Sequence, residues 1–442
     1  MFYTHWRQLP ILIIYALIVM VGFSSCGKPL PDLPDQMLST SIDTVYASPF
    51  AGVDSVMLIS SDSWSISGSP DWLTITPAAG TGDAWIVLRY SQNTGSHEKR
   101  TANLIVQSGE RTRTITLIQN ISMLPAKAIL FAGGGYPKDR DDYDSRDGIG
   151  NDAVFRWVSN PWFDTKGNLI VTDKNKIRSI TPEGVVTTLP GRFPHPYWPK
   201  GVNDSWDNPH GAIKDNQGNM YVLEADENVI YKYAADGTIS ILAGSKREWA
   251  FADGKGTAAK FMGLTCMIMD SEGNLIVADN PSMIRKVTPT GVVTTLAGKT
   301  FSELGDGPAD VALFSIIYSL AIDKAGNIFV ADWGNSAIRK LTPQGVVSTL
   351  VRGRGIMDGP LLHANVEEAQ SMAVDKDGNL FSFDFYHNIR MITSKGFVYT
   401  IDPGIKWQWC FNGLVVGPDN ILYIADSYRN IIYKIIIDKL PD

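Results

Sequence analysis

The stretch DKAGNIFVADWGNSAIRKLTPQGVVSTL, Asp323 to Leu350, decides the fold because most of it occurs again elsewhere in the chain. DSEGNLIVADNPSMIRKVTPTGVVTTL, Asp270 to Leu296, is nearly the same sequence, and looser versions occur four more times. Each copy has an apolar run ending in an acid, a Gly-Asn turn, a second apolar run ending in an acid, and then IRK and TPxGVVxTL. This pattern predicts four short strands per unit.

The spacing of the Gly-Asn pairs indicates how the units pack. Successive pairs are separated by 51, 55, 53, 52 and 41 residues, and they end at Asn168, Asn219, Asn274, Asn327 and Asn379, with Asp419-Asn420 as a degenerate sixth member. The second strand of a unit, such as Ile328 to Val330, is apolar at consecutive positions. Both of its faces must therefore be covered, as in blades packed face to face around an axis.

The two ends of the repeat indicate a closed ring rather than a linear stack. The sixth unit stops after its third strand, NIIYKIIID, Asn430 to Asp438. The missing fourth strand lies ahead of the first unit, in AILFAGGG, Ala128 to Gly135. We therefore predict that Ile129 to Phe131 lies alongside Ile432 to Ile436 and closes a six-bladed β-propeller.

The phrases GNLIVAD and NxIRK resemble NHL repeats, and the resemblance covers Ala128 to the C-terminus. Two blades depart from it: Glu224 replaces the second-strand Asp, Tyr231 and Tyr433 replace Arg, and blade six lacks the glycine of Gly-Asn. The predicted propeller spans residues 126–442.

Residues 38–121 contain short β-like runs separated by Gly, Ser, Asn and Asp, which is typical of a small antiparallel sandwich. The segment Pro70 to Gly109, with DWLT near its start and TLIQ after it, resembles the BACON domain, an immunoglobulin-like module of Bacteroidetes surface proteins. That family's name implies carbohydrate binding. Trp64, Trp72 and Trp85 could each stack on a sugar, although we favour core packing for each of them. The predicted fold class is therefore all-β, a sandwich followed by a propeller.

The N-terminus carries an export signal. Arg7 is followed by an apolar run from Ile11 to Phe23 and then by FSSCG, which resembles a bacterial lipoprotein signal. The resemblance implies a signal peptide over residues 1–25 and a lipid on Cys26, which would tether the protein to a membrane without crossing it. An uncleaved anchor is the alternative. Residues 26–37 form a proline-rich tether.

The charge and the cysteine positions argue against nucleic-acid binding and against a cysteine metal site. A net charge of -7 and a pI near 5.5, without a basic cluster, argue against nucleic acid as a partner. Cys266 and Cys410 have no Cys or His neighbour at metal-ligand spacing, so we interpret both as buried thiols.

Six acids end the second strands and could suggest a metal site. They are Asp173, Glu224, Asp279, Asp332, Asp384 and Asp426. Four of them precede an arginine across a short loop, so we expect own-blade ion pairs, with Arg178, Arg285, Arg339 and Arg390. The repeated Asp-Gly pairs, such as Asp306-Gly307, are interpreted as a shared turn.

Function is expected where the repeat fails to repeat, in long connections and second-to-third-strand loops that emerge at one end of the ring. These loops are rich in aromatic residues, which could stack on sugar or pack the loops themselves. A ring of unlike polar side chains at the channel mouth, which includes His210, Tyr318, Gln370 and Asn412, could bind hydroxyl groups or line a solvated funnel. The predicted ligand-binding residues are Tyr197, Trp198, Trp206, His210, Trp249, Tyr318, Trp333, Gln370, Tyr386, Trp407, Trp409 and Asn412.

Four histidines also fall in loops assigned to this end: His195, His210, His363 and His387. Relatives by fold include metal-dependent lyases, so a polysaccharide lyase or hydrolase using these histidines, with a divalent metal, is an alternative. Against it, none of them has HxH or HxxxH spacing.

We favour a non-catalytic lipoprotein of the outer membrane, on the surface of a Gram-negative cell, that binds a polysaccharide or glycoconjugate without a cofactor. The sandwich would act as a spacer. A further alternative is a protein-interaction scaffold that contacts outer-membrane transport proteins.

Overall fold

The computed structural model describes residues 37–47, 51–91, 93, 99–119, 123–134, 145–174, 176–189, 211–299, 304–355, 357–405 and 413–437. The predicted signal peptide, Cys26 and most of the tether lie outside these residues. Over the described ranges, no helix has the length and apolar character needed to span a membrane.

The N-terminal region is a two-sheet sandwich. One sheet has the order β1-β3-β7-β5 and the other β2-β9-β8-β4-β6. Its strands are β1 (Leu38–Thr40), β2 (Thr44–Ala47), β3 (Gly52–Ser60), β4 (Ser63–Ser67), β5 (Leu73–Thr76), β6 (Ala79–Thr81), β7 (Ala84–Tyr90), β8 (Arg100–Ser108) and β9 (Arg111–Gln119).

The three tryptophans of the sandwich have different environments. Trp64 lies in the core at 4% exposure, and Trp72 packs partly against the core with the Arg100 guanidinium 4.3 Å from its ring. Trp85 is 61% exposed, so core packing was the wrong prediction for it. The reason is the alternation of β7, in which Ile86 and Leu88 point inward and Trp85 points to the opposite face.

The rest of the chain forms six blades. Strand β10 (Leu124–Ala132) comes first and belongs to the sixth blade. Blade 1 contains β11 (Gly148–Ile149), β12 (Val158–Phe163), β13 (Leu169–Asp173), β14 (Lys176–Ile180) and β15 (Val185–Thr188). Blade 2 contains β16 (Ala212–Lys214), β17 (Met220–Glu224), β18 (Val229–Tyr233) and β19 (Ile239–Ala243). Blade 3 contains β20 (Gly254–Lys255), β21 (Leu264–Met269), β22 (Leu275–Asp279), β23 (Met283–Val287) and β24 (Val292–Gly298).

The remaining blades follow the same plan. Blade 4 contains β25 (Gly307–Pro308), β26 (Ile317–Ile322), β27 (Ile328–Asp332), β28 (Ala337–Leu341) and β29 (Val346–Arg352). Blade 5 contains β30 (Gly359–Pro360), β31 (Ala369–Val374), β32 (Leu380–Asp384), β33 (Ile389–Ile392) and β34 (Phe397–Asp402). Blade 6 contains β35 (Leu414–Val416), β36 (Leu422–Asp426) and β37 (Ile431–Ile437), and β10 completes it.

The predicted ring closure is confirmed. Strand β10 pairs antiparallel with β37, placing Ile129 opposite Lys434 and Leu130 opposite Tyr433. The first residues of β10 also pair in parallel with β34 of blade 5, through Leu124 and Ile401. The opening strand of the propeller thus joins the last two blades.

The consecutive apolar residues of each second strand pack against two different blades. In β22, Leu275 and Val277 share a core cluster with residues of blade 2, such as Leu223. The alternate residues Ile276 and Ala278 share the next cluster with blade 4. One strand therefore fills both inter-blade cores, as its sequence predicts.

Each repeated Asp-Gly pair does more than form a turn. In blades 1, 3, 4 and 5 its glycine begins a two-residue fifth strand that pairs with the outer strand of the blade, as Gly307 does with Val347. Part of each of these long connections therefore runs along the outer edge of a blade instead of projecting from the end of the ring.

The aspartate of the Asp-Gly pair also binds the buried arginine. In blade 4, Arg339 contacts Asp332 at 2.9 Å and Asp306 at 2.6 Å, and its guanidinium lies 5.2 Å from the Phe314 ring. The predicted own-blade pairing is confirmed for Arg178 and Arg285 as well. The ion pair of Arg390 instead joins it to Asp358, at 2.7 Å.

The sandwich contacts the outer strand of blade 5. The Tyr46 ring packs edge-on against Phe397 at 5.7 Å, and the Lys99 ammonium lies 5.5 Å from Phe397 and 6.0 Å from Tyr399. The connection is short, because β9 ends at Gln119 and β10 begins at Leu124. These contacts hold the sandwich against the propeller.

Candidate ligand-binding face

The antiparallel blades give the ring two different ends. Because neighbouring strands alternate in direction, the Gly-Asn turns all lie at one end, here called the turn end. The second-to-third-strand loops and the starts of the first strands lie at the other end, here called the loop end.

The turn end is built from rigid hairpins. In blade 3, the Asp270 Oδ1 accepts hydrogen bonds from the backbone N–H groups of Glu272 and Asn274, and Gly273 adopts φ 82°. In blade 6, Asn420 takes the glycine's place at φ 62°, so the structure shifts our alignment of that turn by one residue. The repeated Gly-Asn pair is therefore architectural.

The loop end carries the exposed aromatic side chains of the propeller. In the part of the propeller that the structure describes, all the strongly exposed aromatic residues lie there. They are Trp157 at 52%, Trp249 at 57%, Phe385 at 39%, Tyr386 at 62% and Tyr428 at 50%.

The predicted ligand-binding residues fall into three groups. Trp249 and Tyr386 are exposed at the loop end. Tyr318 and Trp333 pack against each other, with ring centroids 5.3 Å apart and planes tilted by 43°, and Gln370 is buried at 5% exposure. The others lie outside the described residues: Tyr197, Trp198, Trp206, His210, Trp407, Trp409 and Asn412.

Sequence reasoning missed Trp157. It comes two residues after Phe155, and the repeat suggests only that the segment packs its own blade. The available signal is that Trp157 has no aromatic counterpart after Phe261 or Phe314.

The two described histidines of this set, His363 and His387, do not lie together. His387 lies in the loop of blade 5, with its ring 6.2 Å from Phe383. His363 instead follows the fifth strand of that blade, where its N–H donates to the Pro360 carbonyl, so its assignment to the loop end was wrong. His195 and His210 are outside the described ranges. Among the residues that the structure does describe, no three His, Cys, Asp or Glu side chains are placed to hold a metal.

The central channel forms a cavity of about 650 Å³ that reaches the turn end. The first strands line it, with side chains that include Trp162, Met267 and Met372. Two serines of its wall fasten neighbouring blades: Ser319 accepts from the Met372 N–H at 3.0 Å and Ser371 from the Leu414 N–H at 3.2 Å. Hydroxyls near the channel thus serve partly to join blades.

Cys266 also lines this cavity. Burial raises the pKa of its thiol to about 12, so it is protonated at neutral pH. Cys266 is only half-buried, because it faces the cavity, so the interpretation of Cys266 as a buried thiol holds only in part. Cys410 lies outside the described residues.

The sandwich matches a known family. Residues 62–120 match the model of the BACON family, which is described as "Putative binding domain, N-terminal". The resemblance to a BACON domain is thereby confirmed for the N-terminal region.

Three solved structures share the fold along most of the chain. A structural genomics protein of unknown function from Bacteroides thetaiotaomicron is 14% identical, with a TM-score of 0.51, and covers 93% of this chain and 100% of its own. An auxiliary nutrient binding protein from the same organism is 13% identical, with a TM-score of 0.51, over 90% and 97%. An auxiliary nutrient binding protein from Bacteroides ovatus is 12% identical, with a TM-score of 0.50, over 93% and 100%. These similarities establish the fold.

Proposed function

We propose that this protein binds carbohydrate, in a polysaccharide or glycoconjugate, at the loop end of its propeller and does not cleave it. One observation carries the proposal: the exposed aromatic side chains of the described propeller all lie at that end. Exposed aromatic rings cost free energy in water, so their concentration at one end indicates a binding surface.

Aromatic rings suit sugars because the C–H faces of a pyranose are apolar and flat enough to stack on them. Polar residues next to the tyrosines, such as His387 and Arg429, can form hydrogen bonds with the hydroxyl groups at the edge of each sugar ring. The turn end has hairpins whose polar groups already bond to one another. That difference favours the loop end for ligand binding.

The comparisons support a binding role. Two of the similar structures are named auxiliary nutrient binding proteins, and a nutrient-binding role would suit an accessible protein of the cell surface. We propose that lipid on Cys26 anchors the chain to the outer membrane, facing outward, where outer-membrane transport proteins would be its neighbours.

The test uses the full-length chain in detergent, probed with xylan, glucomannan, mixed-linkage β-glucan and homogalacturonan. We expect at least one polysaccharide to bind, and Tyr386→Ala with Tyr428→Ala to weaken that binding. Trp85→Ala reports separately on the sandwich, because this tryptophan is equally exposed there. Absorbance of unsaturated uronate products should stay flat.

The outcomes separate the alternatives. Binding that survives the double substitution would overturn the loop-end site. A rise in product absorbance would instead support the lyase alternative, and a chain that binds none of these polysaccharides would contradict the proposal.

A further inference from the structure

We infer that the loop end binds an extended glycan chain, laid along an arc from blade 5 through blade 6 to blade 1, rather than a single terminal sugar. This inference rests on the proposed function and adds the form of the ligand to it. It follows from the positions of three aromatic side chains.

The first two occupy the same position in neighbouring blades. The loop of blade 5 reads DFYHNI, Asp384 to Ile389, and the loop of blade 6 reads DSYRNI, Asp426 to Ile431. Both have the same length, with tyrosine two residues after the acid. Tyr386 is 62% exposed and Tyr428 is 50% exposed.

The corresponding positions of other blades lack an aromatic ring. The residue two places after the second-strand acid is Asp226 in blade 2, Pro281 in blade 3 and Gly334 in blade 4. The tyrosines are therefore not needed to build a blade. Their occurrence on two adjacent blades indicates a ligand that contacts both.

The third residue, Trp157, extends this arc into blade 1. Its backbone N–H donates to the Asn430 side-chain oxygen at 2.5 Å, so it lies beside the loop that carries Tyr428. Trp157 adopts φ 72°, a left-handed conformation that bulky residues rarely take. Ile316, at the same position of blade 4, also adopts a positive φ, so this backbone conformation belongs to the blade. The feature particular to blade 1 is the aromatic residue, which is 52% exposed.

Hydrogen bonds within the two loops fix their conformation in the ligand-free protein. In blade 5, the His387 N–H donates to the Asp384 carbonyl at 3.0 Å, and the Asn388 amide donates to the Asp384 carboxylate. In blade 6, the Arg429 guanidinium donates to the Asp426 carboxylate at 2.7 Å. Fixed loops lower the entropy cost of binding, so each ring can contribute to affinity for a long chain.

Consecutive rings predict a dependence on chain length. A single sugar can stack on one ring, whereas a chain that crosses three blades gains from each of them. Leu362 is an exposed apolar residue that follows the fifth strand of blade 5, where its neighbour Leu361 donates its N–H to the Gly396 carbonyl. It lies away from the loop end and serves as the internal control.

The experiment is isothermal titration calorimetry of the full-length chain. The ligands are disaccharides to octasaccharides prepared from the probe polysaccharide that binds. We expect affinity to rise with length by about tenfold or more before it levels off. For the octasaccharide, Tyr386→Ala, Tyr428→Ala and Trp157→Ala should each lower affinity roughly fivefold, whereas Leu362→Ala should change it little.

Two controls keep the result interpretable. Thermal unfolding shows whether each variant is folded, and Tyr386→Phe should keep most of the affinity because it preserves the ring. Affinity that is the same for disaccharide and octasaccharide would overturn the arc while leaving the proposed function intact. Loss of affinity from Leu362→Ala alone would also contradict it.

Discussion

Replacing Arg339 by methionine should destabilise the propeller strongly, because the arginine compensates two carboxylates. It is fully buried, and its guanidinium donates to Asp332, to Asp306 and to the Leu313 and Gly305 carbonyls, at 2.6 to 2.9 Å. Methionine fills similar space but leaves Asp332, which is 0% exposed, without its cation. Breaking a buried pair in this way costs about 3–5 kcal/mol.

The assay is unfolding in guanidinium chloride, with Lys340→Met as the matched control. Lys340 is the next residue along β28, but no ion pair to a carboxylate is seen for it in the described chain. We expect the Arg339→Met midpoint to fall clearly and the control to remain near the parent protein. A difference of less than about 1 kcal/mol between the two variants would refute the view that this network holds the blade.

The same variant has a predictable pH dependence. Burial raises the pKa of Asp332, and Arg339 opposes that effect. Without the arginine, the folded-state pKa rises further above its unfolded value, so the folded protein takes up this proton first as pH falls. The stability deficit should therefore be largest at neutral pH and shrink on acidification. A deficit that grows in acid would contradict this assignment.

Three further predictions concern other parts of the molecule. The double variant Tyr46→Ala with Lys99→Ala should widen the distribution of distances between the sandwich and the propeller in small-angle X-ray scattering. An unchanged scattering profile would show that these contacts do not hold the two domains together. Gly273→Ala should lower the free energy of unfolding by about 1 kcal/mol in chemical unfolding. Gly273→Asn should lower it by less, because Asn420 already adopts the corresponding conformation in blade 6. A larger loss for the asparagine variant than for the alanine variant would contradict the turn geometry. Cys266 should react slowly with iodoacetamide until unfolding, because its raised pKa keeps the thiol protonated at neutral pH; peptide mass spectrometry can show this, and rapid labelling of the folded protein would contradict it.

Much of the propeller could be predicted because every blade packs against its two neighbours in the same way and repeats the same sequence pattern. The consecutive apolar residues of β22 indicate a strand with two covered faces, and the incomplete last unit indicates the strand that closes the ring. Such signals are periodic, so six copies reinforce one another. The register of β10 against β37 follows from that alignment.

Features that occur once, or that depend on distant segments, were not visible in the same way. The fifth strands contain two residues and begin at the glycine of an Asp-Gly pair, which locally predicts only a turn. This misled the placement of His363. The contact of Tyr46 and Lys99 with blade 5 joins segments with no shared pattern, so only the tertiary structure shows it.

The candidate site could be predicted from the sequence only in part. Aromatic loops could be assigned to one end, and Trp249 and Tyr386 are exposed there. Exposure itself depends on tertiary packing: the rings of Tyr318 and Trp333 pack against each other, whereas Trp157 is exposed to solvent.

Hydrogen–deuterium exchange of the full-length chain, with and without a bound polysaccharide, tests the central claim most directly. The account predicts slower exchange in residues 384–389, 426–431 and 155–158, which together form the aromatic arc of the loop end. Protection at the turn end instead, in residues 215–219 and 270–274 beside the channel cavity, would show that the ligand occupies the opposite end and would contradict the account.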